Sequence, residues 1–190
     1  MTPPVRRPQA MPRIHILGAS GSGATTLGRA LAARSGAGYF DSDDFLWLPT
    51  DPAYTTLRPG GERTAMLLER LDPAGHWIFS GSALGWGSII EDRYSCLIFL
   101  YLDPVLRLQR LRQREFQRFG ARIQPGGDMA EGSAEFLAWA TEYDHGTPEG
   151  RSLAAHEAWM AQRRLPLLRL DSAAPVESLV AAALAWLASR

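Results

Sequence analysis

A glycine-rich run in the first part of the chain has the spacing of a phosphate-binding loop. In the pattern G-x-x-x-x-G-K-[ST], Gly18 and Gly23 take the glycine positions and Thr25 takes the hydroxyl position, which ligates Mg²⁺. Backbone N–H groups of such a loop surround a phosphate, and the following helix adds a favourable potential. The alternative is a tight strand–helix turn without a ligand. We predict a nucleotide-phosphate site formed by Gly18, Ala19, Ser20, Gly21, Ser22, Gly23, Ala24, Thr25 and Thr26.

The departure from this pattern is Ala24, which stands where the lysine is expected. That lysine normally meets the terminal phosphates of a nucleotide as a point charge. No other lysine can replace it, because all 20 basic residues of the chain are arginines. If the chain binds nucleotide phosphates, arginine, Mg²⁺ and backbone N–H groups must supply the attraction.

Four arginines recur at helical spacing in the second half of the chain. They are separated by three, four and four residues, so on a helix they share one face: Arg107, Arg110, Arg114 and Arg118. Guanidinium groups bind phosphate oxygens in pairs and neutralise charge during phosphoryl transfer. We predict catalytic roles for Arg110, Arg114 and Arg118. The alternative is a solvated face with internal ion pairs, for which Glu115 is the nearby partner.

Acidic residues follow the second predicted strand where it ends. Asp41 and Asp43 are two positions apart and could face the same side, in the crevice that forms at the carboxyl ends of parallel strands. A carboxylate there can hold Mg²⁺, accept a proton from an attacking hydroxyl or bind a substrate hydroxyl. We predict catalytic roles for Asp41 and Asp43, and a metal site formed by Thr25 and Asp43. The alternative is that the aspartates cap a helix or form a turn.

Loops that face the same crevice carry candidate contacts for an acceptor molecule. Arg58 could bind an anionic group, Trp86 could stack on a base or sugar, and Gly81 begins the loop after the third predicted strand. We predict that these three residues bind the acceptor. The histidines lack metal-ligand spacing, and we expect residues such as His145 and His156 to be surface or satisfied residues.

Short apolar strands alternate with helices along the chain. This alternation predicts an α/β fold in which a parallel sheet carries helices on both faces. The segment between residues 107 and 159 contains helical pieces without a strand, which indicates an insertion over one end of the sheet. We predict a loop at 46–59, strands at 14–17, 38–41, 77–80, 96–102 and 165–170, and helices at 24–34, at 62–71, from 104 after the cap Asp103, and at 176–189.

The composition indicates one globular domain. The 190 residues are 46% hydrophobic, and acidic and basic residues balance at 20 each, so no overall field attracts nucleic acid or an anionic membrane. No apolar stretch reaches the roughly 20 residues of a membrane-spanning helix. Cys96 is the only cysteine, which excludes an internal disulfide. We predict a flexible tail at 1–12, a single domain at 13–190, a cytoplasmic location and no nucleic-acid or membrane partner, and leave the oligomeric state open.

A dinucleotide site is a second interpretation of the glycine loop. Gly18-x-x-Gly21-x-x-Ala24 also fits the glycine pattern of some nicotinamide-binding folds, and Asp41 lies at a suitable distance for a ribose hydroxyl. Ala24 is natural in such a loop. Reductases of that kind usually carry a Tyr-x-x-x-Lys pair, which a chain without lysine lacks, and the arginine row has no role in them.

These residues make the chain resemble the P-loop kinases of small molecules, the group of adenylate, shikimate and gluconate kinases that includes chains labelled AAA family ATPase. The resemblance extends over nearly the whole chain from Arg13, and rests on the glycine loop, Asp41-x-Asp43, the run W-I-F-S-G-S at 77–82 and Arg110-x-x-x-Arg114. It implies a P-loop NTPase three-layer fold with strand order 2-3-1-4-5. It also implies an acceptor-binding segment at 40–75, a helical lid at 107–145 and an adenine contact at 171–173.

The resemblance further implies a protein that binds ATP and Mg²⁺ and transfers the γ-phosphoryl group to a nucleotide or another small acceptor. Two departures bear on this expectation. Ala24 removes the lysine that bridges the β- and γ-phosphates, and Ser80 replaces an aspartate that many relatives carry. We expect arginines of the lid to compensate. The alternatives are a nucleotide-binding module or weak ATPase with little transfer, and an NAD(P)-binding protein of Rossmann type.

Overall fold

A computed structural model of the protein describes residues 12–71, 75–147 and 150–190. The predicted tail at residues 1–12 therefore lies outside the described residues, apart from Pro12. Within the described ranges, no helix is both long enough and apolar enough to span a membrane.

The described residues form one parallel sheet of five strands in the order β2-β3-β1-β4-β5. Ile14 of the middle strand lies opposite Ile78 on one side and Cys96 on the other. The inner strands are buried on both faces, which explains why their sequences are continuously apolar instead of alternating. The strands are β1 (Arg13–Gly18), β2 (Gly38–Asp41), β3 (Trp77–Ser80), β4 (Cys96–Tyr101) and β5 (Leu167–Asp171).

Helices connect the strands and cover both faces of the sheet. The α-helices of the described residues are α1 (Ala24–Ser35), α2 (Ser42–Leu46), α3 (Gly60–Arg70), α4 (Ser88–Glu91), α5 (Pro104–Phe119), α6 (Ala130–Thr141), α7 (Leu153–Arg163) and α8 (Val176–Ala188). Short 3₁₀ helices follow α5 at Gly120–Ile123 and α6 at Glu142–Asp144.

Two apolar cores lie on opposite faces of the sheet. On one face, Leu27 of α1 and Ala183 of α8 pack with Ile16 of β1. On the other, Phe79 of β3 packs with Trp159 of α7, in a cluster that includes residues of α2 and α3. The predicted three-layer α/β fold with strand order 2-3-1-4-5 is confirmed.

The helix ends follow the local sequence signals. Gly36 closes α1 with a φ of +70°, and its N–H donates to the carbonyl oxygen of Ala32. The Asp103 carboxylate accepts the N–H groups of Val105 and Leu106 at 3.0 and 3.2 Å, and Pro104 occupies the first position of α5. The predicted start of α5 is confirmed, and α1 ends at Ser35, one residue later than predicted.

The segment predicted as loop at 46–59 is more ordered than expected at its start. Leu46 is the last residue of α2, and Trp47 pairs with Leu57 through an isolated antiparallel bridge. The last strand begins at Leu167, two residues later than predicted, because Leu165 and Pro166 still belong to the connection from α7.

Candidate functional site

The glycine loop connects the middle strand of the sheet to α1. Gly21 and Gly23 have φ angles of +84° and +90°, a left-handed conformation that glycine adopts without strain. Gly23 is the N-cap of α1 and offers no side chain to the first-turn N–H groups. Those N–H groups are therefore available to an anion, in the favourable potential at the start of the helix.

The loop is packed closely against its neighbours. A Cβ atom on Gly18 would lie 2.5 Å from the carbonyl oxygen of Leu100, and one on Gly21 would lie 2.8 Å from Cγ of Leu111. Ser22 is fully buried, and its Oγ has no hydrogen-bond partner among the described residues. A loop that is sterically fixed and carries an unused buried hydroxyl fits a bound oxyanion.

A cavity of about 1790 Å³ opens from this loop at the carboxyl ends of the strands. Pockets for single small ligands usually measure about 300–1,000 Å³. The cavity therefore has room for a nucleotide and a second small molecule. Besides the loop, the residues that line it include Asp41, Asp43, Gly81, Arg110, Arg114, Glu115, Arg118, Arg151 and Ser172.

Three of the four arginines in the predicted row line the cavity. Nη1 of Arg110 donates to the carbonyl oxygen of Ser172 at 3.0 Å, beyond the end of β5. Arg114 forms an ion pair with Glu115 at 3.2 Å, and burial together with Arg118 lowers its pKa. These arginines extend along one wall of the cavity.

Arg107 does not belong to this wall, so the prediction that the four arginines form one phosphate-facing row is wrong at this position. Its side chain is 1% exposed and forms an ion pair with Asp144. Its Nη1 also donates to the carbonyl oxygen of Ala140 at 2.9 Å. Arg107 lies one turn before Arg110 on α5, where α6 covers the helix, and it therefore joins the two helices.

The two predicted aspartates have different surroundings. Asp41 is the N-cap of α2: its Oδ1 accepts the N–H of Asp43 at 3.1 Å, and its Oδ2 accepts the hydroxyl of Tyr39 at 3.0 Å. The capping interpretation therefore describes Asp41. In the described part of the chain, no hydrogen bond or ion pair engages the Asp43 carboxylate. Burial and the Asp41 charge raise the pKa of Asp43, while Arg151 and Arg114 oppose that rise.

Arg151 is the residue of the cavity that sequence reasoning missed. It directly precedes Ser152, the N-cap of α7, and its Nη2 donates to the carbonyl oxygen of Gly18 at 3.1 Å. It lies 33 residues beyond Arg118 and just outside the predicted lid at 107–145. No spacing pattern connects it with the loop, so only the packing of α7 beside β1 reveals it.

Sequence comparison places the chain in a family. No protein-family model matches it. It is 40% identical over 176 residues to the uncharacterized protein YqaC of Bacillus subtilis (strain 168), and the alignment covers 93% of this chain and 97% of YqaC. The chain belongs to the YqaC family.

Solved structures show which fold this YqaC-family chain shares. A shikimate kinase from Acinetobacter baumannii in complex with shikimate aligns with a TM-score of 0.56 and 17% identity over 94% of each chain. A gluconokinase from Sinorhizobium meliloti 1021 aligns with a TM-score of 0.54 and 17% identity over 96% of this chain and 94% of its own. A shikimate kinase from Bacteroides thetaiotaomicron has a TM-score of 0.54 and 20% identity over 94% and 99%. The YqaC-family chain thus has the P-loop kinase fold.

The predicted acceptor contacts of the YqaC-family chain do not all meet at the cavity. Gly81, with a φ of +99°, lines it. Arg58 donates instead to the carbonyl oxygens of Phe45 and Trp47, each at 3.1 Å, and is not a lining residue. Trp86 packs against Phe79 and likewise stays outside the lining. The aromatic side chains of Trp47 and Tyr54, on the same loops, do line the cavity, as do Leu84 and Trp159.

The described residues contain no group of three or more His, Cys, Asp or Glu side chains that could hold a metal ion. Thr25 and Asp43 do line the same cavity. Mg²⁺ commonly takes one or two protein oxygens and completes its shell with water and substrate phosphates. A threonine hydroxyl and one carboxylate without another partner fit that pattern in this YqaC-family chain.

Proposed function

We propose that this YqaC-family protein binds ATP with Mg²⁺ and transfers the γ-phosphoryl group to a small acceptor, either a nucleotide or another small molecule. Solved proteins with this fold include a gluconokinase and shikimate kinases. The observation that carries the proposal is the convergence of the glycine loop, the α5 arginines and Asp43 on one cavity of about 1790 Å³.

The loop would hold the phosphates through backbone N–H groups. Gly23 leaves the first turn of α1 uncapped, and the buried Ser22 hydroxyl has no other use in the described residues. Ala24, in the place of the usual lysine, contributes no charge. Phosphate binding at this site therefore depends more on arginine than it does in a loop that carries the usual lysine.

Asp43 and the α5 arginines would act on the transferred group. Asp43 would accept the proton of an acceptor hydroxyl, and its raised pKa brings it closer to the neutral range in which general bases work best. Arg110, Arg114 and Arg118 would neutralise the charge of the phosphoryl group in transfer. The segment 107–145, which carries them, would serve as the lid.

Mg²⁺ would be held by Thr25 and Asp43 together with phosphate oxygens. When bound, it neutralises phosphate charge and orients the phosphates. The residues of the chain then position the acceptor and move its proton.

The proposal is tested first by calorimetric titration with ATP, ADP and NADPH, each with and without Mg²⁺. We expect ATP to bind and Mg²⁺ to tighten its binding. Release of ADP is then followed with a panel of acceptors that includes shikimate, gluconate and nucleoside monophosphates. If no ATP binds, or NADPH binds more tightly without metal, the proposal is wrong.

A nucleotide-binding module with little turnover is the second candidate function. Ala24 favours it, because the loss of one charged contact to a transferred phosphoryl group can lower a rate by roughly a hundredfold. The acceptor panel separates the two candidates: ATP binding without acceptor-dependent ADP release would support the module.

The strand order argues against the NAD(P) interpretation. In the dinucleotide-binding fold, the second strand lies next to the first. Here β3 lies between β1 and β2, so Asp41 follows a strand that is not adjacent to the glycine loop.

A further inference from the structure

We propose that Arg151 supplies the positive charge at the glycine loop. It would contact the bound phosphates in place of the lysine that phosphate-binding loops usually carry. This inference rests on the proposed function, because it assigns one more contact to the bound phosphates. It differs from the sequence-based expectation, in which arginines of α5 compensate for the missing lysine.

The position of Arg151 ties it to the loop itself. Its Nη2 donates to the carbonyl oxygen of Gly18 at 3.1 Å, and Gly18 is both the last residue of β1 and the first of the loop. A guanidinium held by that carbonyl keeps a constant place relative to the N–H groups of the loop. It is therefore present before any movement of α5 or α6.

The guanidinium of Arg151 has donors left over. An arginine side chain carries five N–H donors in a rigid fork. One of them engages Gly18, whereas Nε is buried and has no hydrogen-bond partner in the described part of the chain. The side chain lines the cavity together with the loop. A phosphate oxygen would give such a group the acceptor that its surroundings lack.

The charges around Arg151 also favour an anion. The residue lies directly before the N-terminus of α7, where the helix dipole disfavours a cation. Burial and the like charges of Arg114 and Arg107 act against its charged form and lower its pKa, and Asp43 is the opposing carboxylate. Arg114 and Arg118 also interact electrostatically with Asp43, so Arg151 shares this carboxylate with two other guanidinium groups, and a bound phosphate would add negative charge beside it.

The α5 arginines are engaged elsewhere. Arg110 donates to the carbonyl oxygen of Ser172, and Arg114 is paired with Glu115. The guanidinium of Arg118 lies 4.7 Å from the ring centroid of Tyr54, which also lines the cavity. Among these arginines and Arg151, only Arg151 forms a hydrogen bond to the described residues of the loop.

The test measures binding of inorganic tripolyphosphate with Mg²⁺ to the full chain by calorimetry, because this probe has no base or sugar. Arg151→Gln should weaken binding by about tenfold to a hundredfold, the range expected for a hydrogen bond to a charged group. Arg112→Gln is the matched control, since it removes one positive charge from an exposed position outside this cavity. The control should bind within twofold of the unsubstituted chain.

A rescue experiment separates a charge contact from a structural role. Ala24→Lys in the Arg151→Gln background should restore at least half of the lost binding free energy, because a lysine at 24 returns the charge. It cannot return the hydrogen bond to Gly18. Arg151→Lys, which keeps the charge without the fork, should bind with intermediate affinity and serves if Arg151→Gln does not fold by circular dichroism.

Each outcome decides one question. If the unsubstituted chain binds neither tripolyphosphate nor ATP, the proposed function is wrong. If it binds and Arg151→Gln binds within twofold of Arg112→Gln, the proposed function stands and the role of Arg151 is overturned. Weakened binding that Ala24→Lys fails to restore would also overturn it, since Arg151 would then support the loop only through its contact with Gly18.

Discussion

At the scale of single residues, neighbouring positions of the site have separate tasks. Asp41 is engaged by the N–H of Asp43 and the hydroxyl of Tyr39, whereas the Asp43 carboxylate is free to act in the cavity. In the loop, close packing holds the backbone at Gly18, whereas Ala24 stands at the position where a lysine would supply charge. Individual substitutions can therefore separate fold from chemistry.

Asp43→Asn should lower the rate of phosphoryl transfer by about a hundredfold or more, because it removes the proposed proton acceptor. The affinity for ATP measured without Mg²⁺ should change much less, because the loop binds the phosphates without Asp43. Asp41→Ala should instead lower the free energy of unfolding by about 1 kcal/mol, because it removes the cap of α2. Steady-state kinetics and urea denaturation of both variants check the division. If Asp41→Ala lowers the rate as much as Asp43→Asn does and keeps its stability, the proposed division of roles is wrong.

Gly18→Ala should lower the free energy of unfolding by about 2 kcal/mol, because the added Cβ would lie 2.5 Å from the carbonyl oxygen of Leu100. Gly61→Ala in the first turn of α3 is the control, since no atom lies within 4 Å of its added Cβ. Urea denaturation compares the two variants. Equal stability of both would show that the loop can move away from β4.

At the scale of elements, α5 has two functions on one helix. Arg110, Arg114 and Arg118 face the cavity, while Arg107 is buried against α6 and Asp144. Arg122, half-buried in the 3₁₀ helix that follows, pairs with Asp51 at 2.8 Å. The segment from α5 to this 3₁₀ helix therefore contacts α6 through Arg107 and the loop before α3 through Arg122.

Arg107→Met should destabilise the fold by about 3 kcal/mol, because it leaves the Asp144 carboxylate, 10% exposed, without its ion-pair partner. Arg112→Ala on the exposed side of α5 should change the free energy of unfolding by no more than about 0.5 kcal/mol. Urea denaturation curves of both variants give the comparison. A loss in Arg107→Met as small as in Arg112→Ala would contradict the buried link between α5 and α6.

At the scale of the whole molecule, the strand order decides where the chemistry lies. Because β1 is the middle strand, the loop that follows it lies between the turn after β5 on one side and the residues after β3 and β2 on the other. Helices α5 and α7 close the remaining walls of the cavity. One site thus collects residues from most of the length of the chain.

The molecule should lose stability as the pH falls from about 6.5 towards 4. Burial lowers the pKa of His15 to about 4, and burial together with Arg151 and His15 lowers that of His156 to about 3. Both stay neutral in the folded chain, whereas the unfolded chain takes up protons below its ordinary pKa of about 6.5, so stability is complete above that pH. Below pH 4, His15 alone should account for about 3 kcal/mol.

Melting temperatures between pH 7.5 and 5 check this expectation. His15→Phe keeps a ring against Tyr94, from which the imidazole lies 4.4 Å between centroids, but removes the titrating group. Its melting temperature should therefore depend less on pH. Equal pH dependence in the two proteins would show that His15 makes no contribution.

His156 was expected to be either a surface residue or a buried residue with a hydrogen-bond partner. The structure shows the second case, because His156 is buried and its Nδ1 lies 2.7 Å from the Tyr143 hydroxyl.

The sequence alone determined the strands, the limits of α1 and α8 to within a residue, the start of α5 and the glycine loop. These features depend on neighbours in the chain: apolar runs become buried strands, Gly36 and Asp103 end or begin helices, and the glycines of the loop permit the turn from β1 into α1. Predicting the strand order also required the resemblance to P-loop kinases, because local patterns do not show which strands are adjacent.

The tertiary structure decided which charged groups meet at the cavity. Helical spacing placed Arg107 with the other arginines, but the packing of α6 buried it. Arg151 is distant from the glycine loop in the chain and follows no pattern, yet the packing of α7 places it on the carbonyl oxygen of Gly18. Local sequence fixes backbone conformation, whereas the neighbours of a long side chain depend on contacts between distant segments. Those contacts exist only in the folded chain.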